Sequence, residues 1–64
     1  MPIVSINMVK GRDPETLRGC IRAVHEAVRD SLGVPDTSVR VLVTEVEPEL
    51  WSAGGQTMAE RSQV

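Results

Sequence analysis

One stretch of this sequence carries helix-starting and helix-stopping residues at its two ends. Asp13 is a favourable N-cap, and Pro14 behind it suits the first position of a helix. Gly33 suits the left-handed residue that follows a helix, and Pro35 prevents the helix from continuing. Between these ends the apolar residues recur at helical spacing: Leu17, Cys20, Ile21, Val24, Ala27, Val28 and Leu32. The pattern predicts one amphipathic helix, with Cys20 as an inert thiol in its buried stripe.

Apolar strands are predicted on both sides of this helix. The segment 2–9, PIVSINMV, places Val4, Ile6 and Met8 on one face. The segment 38–46, SVRVLVTEV, is rich in β-branched residues, which is typical of a buried parallel strand. Strand, helix and strand in this order form a β-α-β unit, whose two strands are parallel and joined by a right-handed crossover. We therefore expect an α+β fold built from a short β-α-β protomer.

The chain is too short to bury a large core. Its 64 residues are enough for a single domain over residues 1–64, and Cys20 is the only cysteine, which excludes an internal disulfide. Two strands under one helix leave one sheet face and both strand edges bare. We therefore expect self-association into a symmetric oligomer that covers these surfaces. The final segment, 57–64, is expected to form a short strand or packing arm, or to fray.

Charge and composition exclude several kinds of partner. The net charge is -2 and Trp51 is the only aromatic residue, so the sequence offers neither a basic stripe nor a stacking platform for nucleic acid. No apolar run approaches the ~20 residues of a membrane span, and no signal-peptide pattern is present, so we expect a cytoplasmic protein. A metal is not expected, because His25 and Cys20 are the only soft ligands and are not in a ligand-spaced cluster. His25 is instead expected to face solvent on the polar side of the helix.

Two arginines and one proline are candidate functional residues. Arg40 interrupts an apolar strand, where a charge is costly unless it is paired or functional. It serves either as the ion-pair partner of a glutamate in a neighbouring chain or as a carboxylate receptor. Parallel strands place Pro2 and Arg40 at the same end of the sheet, whereas Arg12 lies roughly 25–30 Å from Pro2 along an extended strand. A site that uses both Pro2 and Arg12 must therefore span subunits, although Pro2 by itself is explained as the start of a strand.

Four short motifs resemble those of a known family. The stretches MPIVSIN, GRDPE, TSVRVLVTE and LWSAGG look like the short 4-oxalocrotonate tautomerases of the tautomerase superfamily. The resemblance covers residues 1 to 58 without an internal gap. Each motif is short, but the spacing of the four together is specific. The chain is therefore identified as similar to this family, and the expected fold becomes a tautomerase-like protomer whose sheets are completed by oligomerisation.

The resemblance also implies a site and an assembly. It implies a homohexamer, a trimer of dimers, in which each site is built from more than one subunit. It implies that Met1 is removed and that the amino group of Pro2 is the catalytic base; with Met1 attached, that nitrogen is an amide and cannot act as a base. Arg12, Arg40 and Trp51 match the substrate-binding positions of the family. No metal or organic cofactor is implied.

Two departures from the family pattern concern the substrate. Trp51 replaces the usual phenylalanine, and Ser52-Ala53-Gly54-Gly55 replaces a turn that resembles Gly-x-Gly-Gly. The resemblance implies a 2-hydroxymuconate-like dienol, an unsaturated 2-hydroxy or 2-oxo dicarboxylate of aromatic hydrocarbon catabolism. Members with tryptophan here also resemble enzymes of secondary metabolism. A proline-dependent hydratase or dehalogenase and a non-catalytic oligomeric module are the alternatives.

Overall fold

A computed structural model describes residues 1–61 and contains two layers, a two-stranded sheet and one long helix. The elements in chain order are β1 (Ile3–Val9), α1 (Pro14–Leu32), β2 (Arg40–Val46), β3 (Ser52–Ala53), β4 (Gln56–Thr57) and α2 (Met58–Arg61). Short 3-10 turns at Asp36–Ser38 and Pro48–Leu50 lie before and after β2. The predicted β-α-β order is therefore confirmed.

The two long strands are parallel, as predicted. Their register pairs Ile3 with Arg40 at one end and Val9 with Val46 at the other. The second strand begins two residues later than the sequence indicated. The reason is the Asp36–Ser38 turn, in which the Ser38 backbone N–H donates to the Pro35 carbonyl at 3.1 Å.

Both ends of α1 have the predicted caps. The Asp13 carboxylate accepts the backbone N–H of Thr16 at 3.2 Å, which satisfies one of the free donors of the first turn. Gly33 has a φ of 65°, in the left-handed region, and donates its N–H to the Arg29 carbonyl at 2.9 Å. The helix therefore begins and ends where local chemistry dictates.

The helix packs on one face of the sheet, but it is only partly covered. The half-buried apolar residues of the helix and of the strands include Val4, Ile6, Met8, Leu17, Ile21, Val24, Val28, Val41 and Val43. Among residues 1–61, Val39 is the one residue that is buried, with 7% of its surface exposed. The prediction that Cys20 lies in a buried stripe is wrong, because Cys20 is exposed. Two strands about 4.8 Å apart are narrower than a helix about 10 Å wide, so the margins of the stripe stay uncovered.

The opposite sheet face is bare and partly apolar, as predicted. Ile3 of β1 and Leu42 of β2 are 58% and 53% exposed on this face. The same face carries Ser5, Asn7 and Arg40, which are also exposed, because every second residue of a strand points to one side of the sheet. We call the surface formed by Ile3, Ser5, Asn7, Arg40, Leu42 and Thr44 the bare sheet face.

The part of the chain after β2 forms a small appendage. β3 and β4 pair in an antiparallel hairpin, and α2 packs against the Pro48–Leu50 turn. The prediction of a short strand or packing arm applies to 57–64, of which residues 57–61 form the end of β4 and α2. Residues 62–64 lie outside the described part of the chain. Within residues 1–61 no helix is both long and apolar enough to cross a membrane.

Candidate active site

Pro2 and Arg40 are neighbours at one end of the sheet. The backbone N–H of Arg40 donates to the Pro2 carbonyl oxygen at 3.0 Å, which extends the parallel ladder one residue beyond β1. The prediction that the two residues share an end of the sheet is therefore confirmed. Pro2 is half-buried, whereas Met1 in front of it is 83% exposed. Removal of Met1 would consequently free the Pro2 nitrogen with little loss of packing.

The Arg40 guanidinium is held by one nitrogen only. Its Nη1 donates to the Thr37 carbonyl at 2.6 Å and lies 3.4 Å from the Val39 carbonyl. Its Nε and Nη2 make no hydrogen bond with any other residue of 1–61, and the side chain forms no ion pair there. The Nε–Nη2 edge is the planar pair of donors that matches the two oxygens of a carboxylate.

Arg29 provides a contrast, because its three guanidinium nitrogens are all engaged. Nε and Nη2 contact the Asp30 carboxylate at 2.8 and 3.4 Å, and Nη1 contacts Asp36 at 2.9 Å. These bonds raise the pKa of Arg29 and lower the pKa values of Asp30 and Asp36. Arg29 is therefore a structural cation, because each of its three guanidinium nitrogens already binds a carboxylate.

Arg12 lies at the opposite end of the sheet. It follows β1 in an exposed loop, where its Nη1 approaches the Val9 carbonyl at 3.4 Å. The loop is fixed to the end of β2, because Lys10 donates its backbone N–H to Val46 at 2.8 Å and pairs with Glu47 at 3.2 Å. The seven residues of β1 separate this loop from Pro2, so the protomer does not bring Arg12 and Pro2 together.

Trp51 also follows the carboxyl end of a long strand. It is half-buried and comes after the Pro48–Leu50 turn that β2 leads into. Its carbonyl accepts the N–H of Met58 at 2.8 Å, which fastens α2 behind it. The four predicted site residues are thus divided: Pro2 and Arg40 at the amino ends of the strands, and Arg12 and Trp51 beyond their carboxyl ends.

His25 occupies a different position from the one predicted. Its side chain is 27% exposed, and its Nε2 lies 2.8 Å from Asp36 Oδ1. It therefore does not simply face solvent, as the sequence indicated. The only local signal was the four-residue spacing between His25 and Arg29, which puts both on one side of the helix facing the segment after Pro35.

The described part of the chain offers no cluster of metal ligands. No group of three or more His, Cys, Asp or Glu side chains among residues 1–61 is arranged to hold a metal ion. At the amino ends of the strands, Arg40 supplies a guanidinium, and Pro2 would supply a secondary amine once Met1 is removed.

Comparison with known proteins places the chain in a family. A family model described as "Tautomerase enzyme" matches residues 2–61. A 2-hydroxymuconate tautomerase of Pseudomonas putida is 43% identical over 56 residues, which are 88% of this chain and 89% of that protein. These matches span almost the whole sequence, in agreement with the motif resemblance.

Solved structures agree with this placement. TomN, a 4-oxalocrotonate tautomerase homologue of the tomaymycin biosynthetic pathway, superposes with a TM-score of 0.93 at 35% identity, covering 98% of this chain and 97% of its own. A heterohexamer 4-oxalocrotonate tautomerase from Chloroflexus aurantiacus gives a TM-score of 0.89 at 37% identity, covering 94% and 97%. The tautomerase fold expected from the motifs is confirmed. The chain therefore belongs to the tautomerase family of isomerases.

Proposed function

We propose that this protein is a cofactor-independent enol–keto tautomerase of the 2-hydroxymuconate type, with Pro2 as its general base after removal of Met1. Its substrate class is an unsaturated 2-hydroxy or 2-oxo dicarboxylate. The family assignment and the 43% identity to a 2-hydroxymuconate tautomerase support the reaction class. The observation that carries the proposal is the free Nε–Nη2 edge of Arg40 at the end of the sheet where Pro2 lies.

The proposed base has suitable chemistry. A tautomerase takes a proton from an enol oxygen or carbon and returns it elsewhere, which needs a group that exchanges protons near neutral pH. An α-amino group titrates at about 7.7–8.0 in peptides, and a proline amine is somewhat more basic. Burial against an apolar wall and a nearby guanidinium both disfavour an ammonium ion. A freed Pro2 in such a pocket is therefore largely neutral and able to accept a proton.

The two arginines supply the charge that the reaction needs. Arg40 holds the 2-oxo oxygen and its adjacent carboxylate, and stabilises the negative charge that develops on oxygen in the dienolate. Arg12 holds the carboxylate at the far end of the substrate, and Trp51 supplies an apolar wall. Binding at both ends fixes the reacting carbon close to the amine. No metal or organic cofactor takes part in this scheme.

This arrangement requires self-association, which we propose gives a homohexamer of three dimers. Arg12 and Trp51 lie at the opposite end of the protomer from Pro2, so another subunit must contribute them. The exposed Ile3 and Leu42 of the bare sheet face support an assembly that covers this surface.

A combined mass and activity measurement tests the function. Intact mass first establishes whether Met1 is present, and the same preparation is then assayed with 2-hydroxymuconate alongside Pro2→Ala. We expect the processed protein to be active and Pro2→Ala to lose at least a hundredfold in kcat/KM, within the range that a general base contributes. Full activity of Pro2→Ala, or of protein that retains Met1, would contradict the proposed mechanism.

A second candidate is a tautomerase of secondary metabolism. It is favoured by the TM-score of 0.93 to TomN and by the larger Trp51 wall. Parallel assays with 2-hydroxymuconate and with phenylenolpyruvate, a monocarboxylate with an aromatic ring, separate the two. A higher kcat/KM for phenylenolpyruvate favours this second candidate, and the reverse order favours the dicarboxylate.

A further inference from the structure

A three-residue cluster fixes the turn that precedes β2. Asp36 Oδ1 lies 2.8 Å from His25 Nε2 and 2.9 Å from Arg29 Nη1, so one carboxylate oxygen joins two residues of α1. Because the Asp36 carboxylate can only accept, His25 donates through Nε2. The Nδ1 atom of His25 makes no hydrogen bond within residues 1–61. The cluster therefore ties the middle of the helix to the first residue of the Asp36–Ser38 turn.

The same turn holds the guanidinium of Arg40. Thr37, the middle residue of the turn, accepts Arg40 Nη1 at 2.6 Å, which is the shorter of the two hydrogen bonds of this side chain. The turn is also closed on itself, because the Val39 N–H donates to the Asp36 carbonyl at 3.3 Å. A displacement of Asp36 is thus transmitted through one peptide unit to the carbonyl that orients Arg40.

We propose that Asp36, held by His25 and Arg29, is a positioning residue that aims the free edge of Arg40 at the substrate. Asp36 does not touch the substrate in this scheme. It acts by fixing the Thr37 carbonyl, so that Arg40 is presented in one orientation. The proposal rests on the proposed function of Arg40, and it adds three residues that the motif comparison with the family did not include.

Arg29 and Asp30 provide the means to separate positioning from simple stability. Asp30 binds Arg29 through two contacts, at 2.8 and 3.4 Å, but it has no hydrogen bond to the turn. Asp30→Ala therefore removes a carboxylate that binds the same arginine, without touching Thr37 or Arg40. It is the matched control for Asp36→Ala.

The test is a double-mutant cycle between position 36 and position 40 with 2-hydroxymuconate as substrate. We expect Asp36→Ala to lower kcat/KM about tenfold, because small misplacements of a substrate-binding group can cost up to ~100-fold. Asp30→Ala is expected to stay within about twofold of the parent protein. In the Arg40→Ala background, Asp36→Ala is expected to cause no further loss, because the group that it positions is gone.

Thermal unfolding of each variant accompanies the assays, which are run well below the lowest midpoint. Asp36→Asn, which keeps a carbonyl oxygen as acceptor, enters the same cycle and is expected to lose less than Asp36→Ala; it carries the test if the alanine variant does not fold. Equal losses from Asp36→Ala in the parent and Arg40→Ala backgrounds would overturn the positioning role, as would equal activity of Asp36→Ala and Asp30→Ala. If Arg40→Ala itself retains full activity, it is the proposed function that fails.

Discussion

The backbone N–H of Arg40 donates to the carbonyl of Pro2 across 3.0 Å, so the main chain joins the two residues proposed to act on the substrate. Their side chains take no part in this bond. The side chain of Arg40 can therefore be removed while the ladder between the strands stays intact. This separation makes the chemistry of the site testable without disturbing the fold.

Arg40→Ala is expected to lower kcat/KM by about 10- to 150-fold, which corresponds to the ~1.5–3 kcal/mol of a charge-assisted hydrogen bond. The midpoint of thermal unfolding is expected to change little, because within residues 1–61 the guanidinium binds only the carbonyls of Thr37 and Val39, close by in the chain. Steady-state kinetics and calorimetry check the two expectations. Arg40→Lys keeps the charge without the planar fork and is expected to recover only part of the activity. An unchanged kcat/KM for Arg40→Ala would contradict the proposed role of Arg40 in holding the substrate.

Arg12→Ala is expected to weaken the reaction of a dicarboxylate more than that of a monocarboxylate. The reason is that Arg12 is assigned to the carboxylate farthest from the oxo group. The ratio of kcat/KM for 2-hydroxymuconate to that for phenylenolpyruvate is the measured quantity, and it should fall about tenfold or more. Lys10→Ala, in the same loop but paired with Glu47, is the matched control and should leave the ratio unchanged. An equal loss on both substrates would contradict the assignment.

The Asp36 carboxylate is expected to make the free energy of unfolding depend on pH in the acidic range. Hydrogen bonds from His25 and then Arg29 lower its pKa in the folded protein below the ordinary value of about 3.9. The folded state therefore binds this proton less readily than the unfolded chain, and the contribution to stability is present above about pH 4 and is lost as pH falls through the lower folded pKa. Between about pH 5 and pH 3, urea unfolding should show a smaller decrease in the free energy of unfolding for Asp36→Asn than for the parent protein.

The control for this measurement is Glu26→Gln, since Glu26 is exposed and forms no ion pair with other residues of 1–61. It should reproduce the acid dependence of the parent protein. An identical acid dependence in Asp36→Asn and the parent would show that the cluster does not contribute to the pH response.

Alanine substitutions at Gly33 and Gly19 should change the free energy of unfolding in opposite directions. Gly33 has a φ of 65°, so alanine there adopts a left-handed conformation at a cost of roughly 1–2 kcal/mol. Gly19 lies within α1, and a methyl group there meets open space in the protomer, so alanine should stabilise by up to ~1 kcal/mol. Denaturant unfolding of both variants gives the comparison. A Gly33→Ala variant that is no less stable than the parent protein would contradict the assignment of Gly33 as the helix cap.

A charge on the bare sheet face should prevent assembly. Leu42→Asp places a carboxylate where the oligomer is expected to bury an apolar side chain, so sedimentation should show smaller species and activity should fall with them. Leu32→Asp, at a position with 60% exposure at the end of α1, is the matched control. If Leu42→Asp sediments like the parent protein, the bare sheet face is not the surface that associates.

The sequence was sufficient for the ends of the helix and for the order of the elements. Asp13 and Gly33 set the ends of the helix through bonds to residues within four positions, and the order of elements set the parallel pairing that joins Pro2 to Arg40. Sequence alone failed where the width of a layer or a distant partner decides the outcome. Cys20 is exposed because two strands cannot cover the whole apolar stripe. His25 is engaged because the chain returns Asp36 to the helix eleven residues later.

The separation of Pro2 from Arg12 along β1 has a consequence for oligomers that contain two different variants of this protein. In the proposed site, a chain that lacks the Pro2 amine and a chain that lacks Arg12 are defective in different halves, because different subunits supply the two residues. When the two chains are refolded together, the intact half of each can supply what the other lacks, so the mixed oligomer should be more active than either variant alone. A single chain that lacks both the Pro2 amine and Arg12 supplies neither half of the site. Mixed with the parent protein, such a chain should inactivate the sites that it shares with intact subunits. The loss of activity should therefore exceed the fraction of this chain in the mixture.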